Sequence, residues 1–177
     1  MAFTLRNSLV LSSILTNSEA WYGLSLAENQ QFEQVDEMLE VGQSCPKEIL
    51  YLETGFTHIR YIIMLRKILF LHYILNEGQE SLIHRVLKAQ IKSPVKGDWI
   101  LGVKEIFNDL NTDLELEEIK QIKEETLRKF VKKHIKENCW MYLNKQKEKH
   151  TKVMNIVHTE LKMQDFLHPN YVPNTHL

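Results

Sequence analysis

Arg128, Lys129, Lys132, Lys133 and Lys136 stand at i, i+1, i+4, i+5 and i+8, a spacing that gathers all five on one side of a helix. Phe130, Val131 and Ile135 fall on the other side. A cationic row with few carboxylates beside it offers polyanion binding, each ammonium or guanidinium neutralising one phosphate of a nucleic-acid backbone. Lys145 and Lys147 extend the charge past Trp140 and Tyr142, and Lys149 and Lys152 carry it further. The same pattern also belongs to an amphipathic helix that merely faces water, and the spacing alone does not separate the two.

No other constellation offers chemistry of its own. His58, His72, His84, His134, His150, His158, His168 and His176 are scattered, and no pair shows the i, i+4 spacing with an intervening Glu that a helical zinc site uses. Asp109, Asp113, Glu115, Glu117 and Glu118 gather about a helix start, where the positive end of the helix dipole favours them. The chain shows no Gly-rich phosphate loop, no nucleophile elbow and no Tyr-x-Asp-Asp turn. Catalysis by this chain alone is therefore not expected, nor is a metal or cofactor. Cys45 and Cys139 lack a Cys-x-x-Cys partner and read as two inert thiols in a reducing compartment. Trp21, Trp99 and Trp140 read as core residues rather than base-stacking platforms.

The net charge of −1 hides a division. Residues 1–119 hold 10 basic and 17 acidic side chains, whereas residues 120–152 hold 11 basic and 4 acidic ones. An acidic body thus carries one basic segment. The N-terminus lacks the charged and apolar stretches of a secretory signal. Ile59–Leu75 is apolar but short, and Arg66 and Lys67 would lie mid-bilayer at about 2.5–3.5 kcal/mol each. These features lead us to expect a soluble intracellular protein, nuclear or cytoplasmic, that does not engage a membrane.

The elements that must position the basic row are helical. Leu, Ile, Lys and Glu are plentiful, Gly and Pro are scarce, and no stretch alternates as a strand does. The expected fold is all-α, an irregular multi-helix bundle around a central apolar helix from Thr57 to Asn76. That helix is interrupted only by Arg60, Arg66, Lys67 and His72 between Ile59 and Leu75, so other elements must enclose it. Before it, helices are expected over residues 4–21, from Ser25 to Gly42, and over residues 46–53. After it, a helix over residues 81–91 turns Leu82, Ile83, Val86, Leu87 and Ile91 inward. Asp98 caps the next, bearing Trp99, Val103, Ile106, Phe107 and Leu110. The longest signal starts near Leu116, with room for a second helix starting at Thr126 or a kink near Glu124, and carries Ile119, Ile122, Leu127, Phe130, Val131, Ile135, Cys139, Tyr142 and Leu143 in one stripe. Residues 154–177 read as an extended tail.

Several segments in order carry a resemblance: SLVLSSILTNSEAWYGLS, LYLETG followed by IRYIIMLRKILFLHYIL, KSPVKGDW, YLNKQKEKHTKV and LKMQDFL. Together they resemble the region downstream of the polymerase core in non-LTR (LINE-like) retrotransposon reverse transcriptases. The resemblance implies a thumb-like helical segment over residues 1–42, a helical connector over residues 43–153 that includes the basic helix, and the tail. It further implies a retrotransposon-derived accessory domain that binds RNA or DNA backbone without sequence preference and is inactive by itself. The partner would be the remainder of a reverse transcriptase polyprotein. The paired metal-binding aspartates and the Cys/His knuckle of that family have no counterpart here, so no catalytic residue is carried over. Met38–Gly42 also runs straight into Gln43–Pro46, about a turn and a half shorter than the family's helix. Two other readings stand beside this one: a helical scaffold for other protein subunits, and a retroelement remnant without function. Oligomeric state and nucleic-acid preference are not legible.

Overall fold

In the computed structural model, Ser13, residues 15–22 and residues 59–147 are described. The helices expected over residues 25–42 and 46–53, Cys45, and the tail over 154–177 lie outside the described residues. What is described is all-α: a 3-10 turn at Ser18–Ala20, then α1 (Ile59–Asn76), α2 (Leu82–Lys92), α3 (Trp99–Asp109), α4 (Leu116–Gln121) and α5 (Glu124–Lys147).

α1 is the hub. It packs against the 3-10 turn and every other helix, while α2 and α3 also pack on each other. Its residues explain why: Ile68 and Leu71 are fully enclosed, and Tyr61, Ile63, Met64, Ile74 and Leu75 are buried around the rest of its circumference. A helix with apolar groups on all sides gains by being surrounded, and each neighbour adds one stripe. α3 contributes Ile100, Val103, Ile106 and Phe107, α4 contributes Ile119, and α5 contributes Leu127, Val131, Ile135 and Cys139.

The helix ends follow local rules. Ser81 Oγ accepts the amide of His84 at 3.3 Å at the start of α2. α3 closes with Asn111 in the left-handed region (φ 50°). The amides of Asn111 and Thr112 return to the carbonyls of Asn108 and Phe107, both at 3.0 Å, satisfying two carbonyls that a helix end leaves open. Asp98 precedes α3 as expected, but its carboxylate accepts the Val95 amide at 2.6 Å, so it braces the loop rather than the helix.

Three expectations are corrected. The helix predicted through Trp21 has already ended: residues 15–17 are turn, Asn17 is left-handed (φ 58°), and Trp21 is extended. Carbonyls of this segment serve other elements. Leu15 O accepts from Arg66, Glu19 O accepts from Trp99 Nε1 at 2.8 Å, and Tyr22 O accepts from Lys67 Nζ at 2.8 Å. Of the kink near Glu124 and the second helix from Thr126, the structure has the second helix, begun two residues earlier at Glu124, because Ile122 is extended (ψ 137°). Its carbonyl lies 2.9 Å from His72 Nε2 on α1, which pins the break. The inward face of α2 is narrower than predicted. Leu87 is buried and Ile83 half-buried, but Leu82, Val86 and Ile91 are exposed, because among the described elements α2 packs chiefly on α1 and α3.

Candidate nucleic-acid interface

α5 holds most of the basic segment. Glu124 and Glu125 occupy its first turn, where the helix dipole favours them. Leu127, Val131, Ile135 and Cys139 recur every four residues and form its buried seam against α1. α5 runs antiparallel to α1: the Ile122 carbonyl before it meets His72, while Asn138 and Tyr142 share a groove with Arg60 and Tyr61. Packed principally on one neighbour, α5 leaves most of its circumference open.

That open side carries the lysines. Lys129, Lys132, Lys133 and Lys136 are all exposed, and at 100° per residue they span an arc of roughly 100° opposite the seam. Lys133 Nζ lies 4.0 Å from Glu137, one turn on. Lys129, Lys132 and Lys136 have no ion-pair partner among the described residues. Exposed ammonium groups are available to phosphate oxygens.

The remaining members of the predicted set are placed differently. Arg128 lies nearer the seam, and its guanidinium is bound 2.7 Å from Glu124 one turn back. Lys145 follows Lys136 by nine residues, two and a half turns, which puts it on the opposite side of α5. There it lines a groove of about 270 Å3 between α1 and α5 with Arg60, Asn138, Met141 and Tyr142. Arg60 in that groove is paired with Asp109. The side chain of Lys147 lies outside the described residues, as do Lys149 and Lys152.

The apolar stripe of α5 is also narrower than predicted. Phe130 and Tyr142 are exposed, and Phe130 instead lies tilted at 41° against His134 with ring centroids 4.2 Å apart. A seam stepping by four residues turns slowly about the helix, and a single partner covers only its width.

The sequence treated Lys67 as a mere interruption of the apolar run, yet it is buried. Burial holds its pKa below the ordinary lysine range, with Glu105 acting in the opposite sense. Its partner, the Tyr22 carbonyl, comes from 45 residues away, so no local signal could have revealed the contact. The tryptophans keep to core positions. Trp99 meets Phe70 edge-on at 5.7 Å, and Trp21 and Trp140 pack half-buried at the margins of the two apolar clusters. His84 and His134 bond the carbonyls of Ile74 and Phe130. Among the described residues no group of His, Cys, Asp or Glu is arranged to hold a metal ion. No described helix is long and apolar enough to cross a membrane.

Comparison with known proteins finds no matching family, no similar curated protein and no similar solved structure.

Proposed function

We propose that this chain is a helical module that binds RNA or DNA through the phosphate backbone, without sequence preference, using the outer face of α5. The observation carrying this reading is the arc of four exposed lysines, Lys129, Lys132, Lys133 and Lys136, set opposite the seam that fixes α5 to α1. Backbone contacts need charge and reach rather than a shaped pocket, and a row held on a docked helix supplies both. Base discrimination is not part of the proposal, because the arc presents ammonium groups and no bidentate Arg, Asn or Gln. The ordered segments that resemble the thumb and connector of LINE-like reverse transcriptases support a role beside a polymerase, guiding template or primer strand rather than acting on it. A neighbouring reading frame that encodes the paired-aspartate turn would support that descent.

The test is binding of a fluorescent primer–template across a salt series. Each lysine that displaces a counterion contributes about 0.9 to the slope of log affinity against log salt. Changing Lys129, Lys132, Lys133 and Lys136 to Glu is expected to abolish binding, while changing all four to Arg preserves it. If the Glu variant binds the primer–template as tightly as the parent, the proposal is wrong.

A further inference from the structure

A second surface is built on α2, away from the α5 arc. Leu82 is 75% exposed and Val86 48% exposed, and with Ala89 they stand at i, i+4 and i+7 in one outward stripe. Beside that stripe, roughly 70–130° around the helix from its centre, run Arg85, Lys92 and Lys88, all exposed. No carboxylate occurs from Ser81 to Gly97, and none of the three cations has an ion-pair partner among the described residues. The rest of α2 is held in place: on the far side Leu87 is buried and His84 bonds the Ile74 carbonyl at 3.1 Å, and on the other flank Gln90 Oε1 accepts the Ile100 amide. The outward pair of stripes, one apolar and one cationic, is therefore a rigid feature of the fold.

We infer that this face receives an amphipathic helix of a protein partner, with its apolar ridge on Leu82, Val86 and Ala89 and its acidic flank on Arg85, Lys88 and Lys92. The small Ala89 between larger neighbours lets a second helix approach closely, and the adjacent cations select carboxylates. A nucleic-acid backbone would satisfy the cations but leave Leu82 and Val86 in water. A second copy of the same face would set like charges against each other. An anionic lipid surface would meet the exposed Glu80 just before Leu82. One face of an 11-residue helix, about 16 Å long, makes a small interface, so the complex is weak and transient.

The test is selection of a display library of single-helix peptides, randomised on all faces, on the full chain. Enriched peptides are expected to carry Leu, Ile, Phe or Met at i, i+4 and i+7 with Asp or Glu along one flank. Their binding should fall at least tenfold on the Leu82→Glu/Val86→Glu chain. Because that variant could lose structure, a second chain, Arg85→Glu/Lys88→Glu, is selected in parallel and should enrich Lys-flanked peptides instead. No enrichment, enrichment without an acidic flank, or no charge swap on the second chain overturns the inference. So does sedimentation with phosphatidylserine vesicles, or self-association, that the same substitutions abolish.

Discussion

At the scale of single residues, two positions have consequences that only their surroundings explain. A Cβ on Gly102 would lie 2.8 Å from the Tyr22 backbone oxygen, the same oxygen that accepts from Lys67. Backbone cannot swing aside as a side chain can, so Gly102→Ala is expected to displace residues 15–22 and cost about 1–3 kcal/mol in urea unfolding. Gly78→Ala, with nothing within 4 Å, is the neutral control. Tyr61 is the second position. Burial pushes its phenol from 10.0 up to about 12, with Cys139 adding in the same direction and Arg60 opposing. The folded chain keeps this proton where the unfolded chain has lost it. The stabilising contribution is therefore complete below pH 10 and is lost as pH rises to about 12. Lys67, held low by burial, acts in the opposite sense, its contribution rising as pH approaches 10.5. Unfolding midpoints measured from pH 10 to 12 should fall less steeply for Tyr61→Phe than for the parent.

At the scale of elements, caps and breaks decide where the helices point. Asn111, left-handed at φ 50°, ends α3 and lets Thr112 bond back to Phe107. Asn111→Val is expected to cost about 1–2 kcal/mol in thermal or urea unfolding, because a branched side chain resists that conformation. Asn111→Gly should be close to neutral. The helix over residues 99–109 was legible from its apolar spacing, which depends on residues a turn apart. The break at Ile122 was expected later, as a kink near Glu124 or as a second helix starting at Thr126. Glu124, Glu125 and Thr126 do mark a start, but the extended residue before them is held by His72, 50 residues away.

At the scale of the whole molecule, the two faces of α5 divide folding from binding. Reversing the four outer lysines to Glu should shift unfolding by no more than about 2 kcal/mol, about 0.5 for each site, since these groups are exposed and, among the described residues, only Lys133 is near a carboxylate. Leu127→Ala, at a site with 0% exposure, should cost about 2–5 kcal/mol while the still-folded chain keeps its nucleic-acid affinity. Denaturation and binding measured on both variants would show the opposite pattern if the lysine row served the fold. The amino-acid order by itself determined that the chain is helical, that α1 must be enclosed, and that Lys129, Lys132, Lys133 and Lys136 share a side, because helical period and side-chain polarity are local properties. Only the tertiary structure decided that Lys145 turns into the α1–α5 groove, that Lys67 is buried beneath residues 15–22, and that Phe130, Leu82 and Val86 face outward. Those outcomes depend on how many neighbours each helix has and where they stop, which is a property of distant contacts and not of spacing along the chain.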